Sequence, residues 1–146
     1  FLLATFAAAA SGAFFKPGTW YLQLSKPSWT PPDWLFPIAW TVLYISMAVA
    51  AWWVALSPDP LALPALAFWA FQLTVNSLWS PVFFGQQRLA AGFAVIVVLW
   101  IAVAIATLLF WSVSLFAGLL MLPYLVWVSY AGALNLTLWR MNRELA

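Results

Sequence analysis

Leu89 to Trp111 reads LAAGFAVIVVLWIAVAIATLLFW, a run without one charged side chain. A bilayer core is crossed by roughly 20 apolar residues in helical form, so a run of this length is a membrane-spanning helix. Working outward, comparable runs lie on both sides of it, from about Leu115 to Trp139, from about Leu63 to Phe84 and from about Trp34 to Leu56. A shorter one, Phe1 to about Phe15, completes a set of five spans. It begins without methionine, and its start is expected to be missing from this sequence. LLATFAAAASG also has the apolar-then-small pattern of a signal peptide, but no basic segment precedes it.

Composition supports the same class. Of 146 residues, 67% are hydrophobic and 5% charged, and mean hydropathy is +1.02. A soluble domain of this size needs a polar surface that five Lys/Arg and three Asp/Glu cannot supply, whereas lipid requires none. The expected fold is all-α and integral to the membrane, one domain over residues 1–146: a five-helix bundle with a long first loop rich in proline and tryptophan. SPDPLALP, SPVFFGQQR and WSVS mark the short connections, which favour antiparallel neighbours. Alternating spans place Lys16, Lys26, Arg88, Arg140 and Arg143 on one side and Asp59 on the other, which would put the first loop and the C-terminus in the cytoplasm.

Several chemistries are excluded. Without cysteine or histidine there is no thiolate, no disulfide and no imidazole base or metal ligand. The span interiors hold no Asp, Glu, Lys or Arg, the groups on which proton relays and hydrolytic sites rest. A net charge of +2 is too small and dispersed for nucleic-acid binding. What remains is aromatic: 12 Trp, 12 Phe and 4 Tyr. Trp20, Trp52, Trp53, Trp111 and Trp139 fall at span ends, where an interfacial belt accounts for them. Others share helical faces. Pro37, Trp40, Tyr44 and Met47 lie on one face of the second span, Gln72, Asn76, Trp79 and Phe83 on one face of the third, and Pro123, Trp127, Ala131, Leu134 and Asn135 on one face of the fifth. Two readings stand side by side: ordinary core packing with amide hydrogen bonds between helices, or an aromatic cavity oriented by a few amides, suited to flat, delocalised ligands.

The long first loop contains KPSWTPPDWLFPIAW, Lys26 to Trp40. Its prolines push their preceding residues out of helical geometry, so the segment is stiff and extended, with a helix starting at Trp34 to Pro37 behind Asp33 as N-cap. Such a segment serves as a lid over the bundle or as a membrane-surface anchor. Ala8 and Gly12, spaced as small-xxx-small, could support close packing of the first helix.

Three blocks, WYLQLSKPSWTPPDWLFPIAWTVLY, FQLTVNSLWSPVFFG and LPYLVWVSYAGALNLTLWRMN, resemble the translocator protein family, also called tryptophan-rich sensory proteins (TspO) or peripheral benzodiazepine receptors. They occur in the family's order over nearly the whole chain. The resemblance implies a bacterial-type membrane receptor or sensor that binds porphyrins such as protoporphyrin IX, sterols and isoquinoline carboxamide or benzodiazepine ligands, commonly as a homodimer. It implies a pocket of Trp20, Tyr21, Trp29, Pro31, Pro32, Trp40, Tyr44, Asn76, Trp79, Trp127, Ala131 and Leu134. It also implies two alternatives: light-dependent porphyrin degradation, with Trp40 and Trp127 as the catalytic residues, and translocation of tetrapyrrole or sterol-like molecules. No cofactor and no metal is called for; the porphyrin is a ligand. The location implied is a bacterial envelope membrane, inner or outer. The family's C-terminal sterol pattern is not met: Val128 and Tyr130 fit its start, but Arg140 lies beyond the permitted gap. A reversed pattern at Arg88, Phe93 and Val95 carries little weight.

Overall fold

A computed structural model describes residues 3–5, 28–29, 34–82 and 88–142. They form an all-helical bundle with four long helices: α1 Leu35–Ala55, α2 Ala62–Ser80, α3 Leu89–Val113 and α4 Leu115–Met141. These are the second to fifth expected spans, with ends shifted by four residues or fewer. Residues 3–5 are also helical and fall within the first expected span. The rest of that span, including Ala8 and Gly12, lies outside the described residues, as do Lys16, Trp20, Tyr21, Lys26, Pro31, Pro32, Asp33, Phe83 and Arg143.

Three stretches, Pro37–Ala55, Leu89–Val113 and Leu115–Met141, are long and apolar enough to cross a membrane on length and composition alone. With 19 residues, α2 spans about 28 Å. It is the least apolar of the four because it carries Gln72, Thr74, Asn76 and Ser77. Thr74 and Ser77 return their hydroxyls to the carbonyls of Ala70 and Leu73, so neither presents an unmet polar group to lipid.

The short connections make successive helices antiparallel neighbours. Between α1 and α2, Asp59 organises the turn: its carboxylate accepts from the Leu61 amide at 2.8 Å and its carbonyl from the Ala62 amide at 3.0 Å. Between α3 and α4 a single residue, Ser114, leaves helical geometry (φ −157°, ψ 130°) and reverses the chain. So abrupt a hairpin needs close backbone approach. A Cβ on Gly118 would stand 2.7 Å from the Trp111 Cα, a position open only to hydrogen.

The N-cap expected at Asp33 is displaced by one residue. Trp34 precedes the helix in helical φ/ψ and makes no side-chain capping bond, since an indole has no acceptor to offer a backbone N–H. Two prolines also depart from their expected faces. Pro37 and Pro123 are exposed, while Met47, Gln72, Asn76, Ala131, Leu134 and Asn135 are buried and Trp40, Tyr44, Trp79 and Trp127 partly so. On α4 the inward face is centred one residue later, on Tyr124, Val128, Ala131 and Asn135, and Tyr124 occupies the place expected of Pro123.

Antiparallel chain direction gathers the N-terminus of α1, the C-terminus of α2, the N-terminus of α3 and the C-terminus of α4 at one end of the bundle, together with exposed Arg88 and Arg140. Trp52, Trp53 and Trp111 are exposed at the other end, where Trp53 meets Phe116 edge-on at 4.9 Å, consistent with an interfacial belt. Trp139 is instead partly buried against Phe93, with ring centroids 6.2 Å apart.

Candidate aromatic site

Three helices meet in the half of the bundle nearer Arg88 and Arg140. From α1, Trp40 and Tyr44 project one turn apart, and their rings stack at 5.5 Å with 27° between planes. From α4, Tyr124 and Trp127 reach the same place: Trp40 meets Tyr124 edge-on at 6.3 Å and Trp127 edge-on at 6.1 Å. Trp40 is therefore the common member of three ring pairs. Such offset and perpendicular contacts each add about 0.5 to 1.5 kcal/mol beyond area burial.

A polar chain runs beside these rings. The Tyr44 hydroxyl donates to Asn76 Oδ1 at 2.7 Å, Asn76 Nδ2 donates to the Tyr124 oxygen at 2.8 Å, and the Tyr124 hydroxyl donates to Gln72 Oε1 at 2.6 Å. Gln72 Nε2 ends the chain on Met47 Sδ at 3.5 Å. Five side chains from α1, α2 and α4 thus form a directional sequence in which each amide uses both its oxygen and its nitrogen. In hydrocarbon, any one of these groups left alone would be costly, so the chain fixes the mutual register of the three helices.

A second polar junction lies about one turn away on α2 and about three on α4. Trp79 Nε1 donates to Asn135 Oδ1 at 3.0 Å, and Asn135 Nδ2 donates to the Leu89 carbonyl at 2.9 Å. That carbonyl belongs to the first turn of α3, so this junction anchors α3 to α2 and α4. Between the two junctions on α4 sit Ala131 and Leu134, both buried. Ala131 places a methyl group between the bulk of Trp127 and the Asn135 clamp.

Above the site, Ser28 and Trp29 form a turn. The Trp29 ring meets Tyr130 edge-on at 5.5 Å, and Tyr130 lies 5.8 Å from Trp127. The Tyr130 hydroxyl donates to the Trp29 backbone carbonyl. Rings therefore run without interruption from Tyr44 through Trp40, Trp127 and Tyr130 to Trp29.

A family model for the TspO/MBR family matches residues 1–140. The chain belongs to that family. It is 51% identical over 144 residues to Protein CrtK of Rhodobacter capsulatus, covering 97% of this chain and 90% of the relative. It is 46% identical over 142 residues to a tryptophan-rich sensory protein of Cereibacter sphaeroides, with 97% and 89% covered. The human translocator protein is 35% identical over 128 residues, with 84% and 75% covered.

Of the residues that the TspO resemblance singles out, the structure joins Trp40, Tyr44, Asn76 and Trp127 into one connected group through Tyr124. Trp79 joins through Asn135, Ala131 and Leu134 line the same face of α4, and Trp29 is reached through Tyr130. Trp20, Tyr21, Pro31 and Pro32 lie outside the described residues. Tyr124 is the principal residue that the sequence reading passed over, although Tyr124, Val128, Ala131 and Asn135 have helical spacing and a polar tip among them. Tyr130 was read only against the sterol pattern. Among the described residues no group of His, Cys, Asp or Glu could hold a metal ion. Chemically the arrangement offers ring faces, ring edges and neutral hydrogen-bonding groups.

A separate groove of about 340 Å³ opens on the outer surface between α3 and α4, lined by Phe93, Ile96, Val97, Trp100, Val128, Ser129, Gly132 and Ala133. Its polar contact is the Trp100 indole donating to Ser129 Oγ at 2.7 Å. Ser129 in turn donates to the Leu125 carbonyl, which completes its own bonding.

Proposed function

We propose that this integral membrane protein is a receptor or sensor for porphyrins, protoporphyrin IX in particular, and for similar flat apolar ligands such as isoquinoline carboxamides. The observation that carries the reading is the position of Trp40, in contact with Tyr44, Tyr124 and Trp127 beside neutral amides that leave no acid or base to impose charge. A macrocycle with a delocalised face gains most from walls of this kind. The names of the relatives, tryptophan-rich sensory protein and translocator protein, accord with a sensing or translocating role. A homodimer in a bacterial envelope membrane belongs to the same proposal, with sterol or lipid as a further ligand class.

Titration of the purified protein with protoporphyrin IX, followed by tryptophan quenching, tests it. Trp40→Leu and Trp127→Leu should each weaken binding roughly tenfold, about the loss of one or two ring contacts, while the helical signal is retained. Unchanged affinity in both variants would sink the reading.

The edge-on pair of Trp40 and Trp127 also favours a second reading, light-dependent porphyrin degradation. Two indoles 6.1 Å apart are oxidisable groups beside the proposed ligand, and photochemistry there needs no acid–base residue. Repeated light- and oxygen-dependent turnovers per chain support it. A yield limited to one event per chain defines the tryptophans as binding groups that are damaged by their guest.

A further inference from the structure

The loop residue Trp29 and the α4 residue Tyr130 are separated by 101 positions in sequence yet make two distinct contacts. One is ring to ring, edge-on at 5.5 Å. The other runs from the Tyr130 hydroxyl to the main-chain carbonyl of Trp29, so it grips the backbone itself and does not depend on the Trp29 side chain. Trp29 remains 43% exposed, and Tyr130 holds it both by its ring and by its main-chain carbonyl. On its inner side, Tyr130 touches Trp127 at 5.8 Å. Trp127 is therefore separated from Trp29 by one ring, and that ring carries the bonding hydroxyl.

From this geometry we infer that Tyr130 is a positioning residue for the aromatic site, a clasp that holds the Trp29 backbone against α4 and sets how long a bound ligand stays. The inference rests on the ligand reading above and extends it to a residue outside the set implied by family resemblance. Tyr130 acts through Trp29 and Trp127. Its hydroxyl governs release, while its ring governs the shape of the wall.

Two substitutions separate these roles. Tyr130→Phe keeps the ring and removes the hydrogen bond; Tyr130→Ala removes both. Protoporphyrin IX release from the purified protein, measured by stopped-flow recovery of tryptophan fluorescence, should be about threefold to tenfold faster in Tyr130→Phe, the range expected for loss of one hydrogen bond, with the association rate within about twofold of the parent. Tyr130→Ala should release faster still. A structural role alone would lower the melting temperature and leave the release rate of folded protein unchanged, and that result overturns the clasp.

Hydrogen exchange in ligand-free protein supplies an independent arm. The peptide containing Trp29 should exchange faster in Tyr130→Phe than in the parent, while peptides from α3 do not change. Equal exchange at Trp29 overturns the clasp even if affinity shifts. If the parent protein binds no porphyrin at all, the ligand reading falls, and the exchange comparison alone decides whether Tyr130 holds Trp29.

Discussion

The α3–α4 hairpin and the α1–α2–α4 junction solve the same problem, holding helices together in lipid, by opposite means. Along α3 the buried residues are Leu89, Gly92, Ile96, Leu99, Ala102, Val103, Ala106, Thr107 and Phe110, and the one hydroxyl among them, Thr107, bonds within its own helix to Val103. The hydrogen bonds seen between the side chains or carbonyls of α3 and α4 among the described residues are the exposed Trp100–Ser129 contact and the one to the Leu89 carbonyl at the very start of α3. At the other junction, amides and phenols from three helices are joined side chain to side chain. Lipid tails are as apolar as leucine, so close fit between small and large residues holds the hairpin, and it needs no partner choice. The polar junction binds specific atoms to specific atoms. One region is scaffold, and the other is the site to which the proposed function assigns the ligand.

The comparison breaks most severely at Gly118. A methyl group there meets the Trp111 backbone at 2.7 Å, and backbone has no rotamer through which to yield. Gly118→Ala should destabilise the protein by about 1 to 3 kcal/mol through overpacking, while protoporphyrin affinity per folded molecule stays unchanged. Thermal unfolding in detergent checks the first part and quenching titration the second. A variant as stable as the parent would show that the hairpin does not depend on this close approach.

Asn76→Leu attacks the other region. It removes the acceptor of the Tyr44 hydroxyl and the donor to the Tyr124 oxygen in one step, leaving polar groups in a dry interior. Interhelical hydrogen bonds in membranes average about 0.6 kcal/mol each, so the stability loss should be about 1 kcal/mol, smaller than at Gly118, but accompanied by weakened porphyrin binding. The quadruple variant Tyr44→Phe, Gln72→Leu, Asn76→Leu, Tyr124→Phe sharpens the point. Removing all the polar partners together is less harmful than removing one, so the quadruple variant should recover stability without recovering binding. If it recovers neither, the chain is held by packing and not by its hydrogen bonds.

Much of this contrast was legible in the amino-acid sequence, for identifiable reasons. Charge-free runs place helices because lipid admits little else, and the ends of α1, α3 and α4 fell within two residues of the expected spans. The faces of Trp40, Tyr44, Gln72, Asn76 and Trp127 followed from helical periodicity. Less accessible was which partner each polar atom would find, since Gln72 to Tyr124 and Trp79 to Asn135 depend on rotation and depth of α2 against α4. Periodicity has no information on either. The shift of α4's inner face from Pro123 to Tyr124 shows the same limit: one residue is a rotation of about 100°, and an apolar helix has no charged face to reveal it.

Trp100→Phe provides the smallest expected effect and the cleanest control on the comparison. Trp100 resembles Trp79 chemically, since both indoles donate to a side-chain oxygen on α4, at 2.7 Å and 3.0 Å respectively. Trp100 is exposed, and Ser129 can keep its own bond to the Leu125 carbonyl when the indole is removed, so no buried group loses its partner. Stability should change by less than about 0.5 kcal/mol, and protoporphyrin binding should not change. Trp79→Phe, by contrast, deprives the buried Asn135 oxygen of its indole donor and should lower stability by about 1 kcal/mol. Equal effects from the two substitutions, measured side by side by thermal unfolding, would mean that burial and helix register do not distinguish the two indoles, and the division into scaffold and site would lose its physical basis.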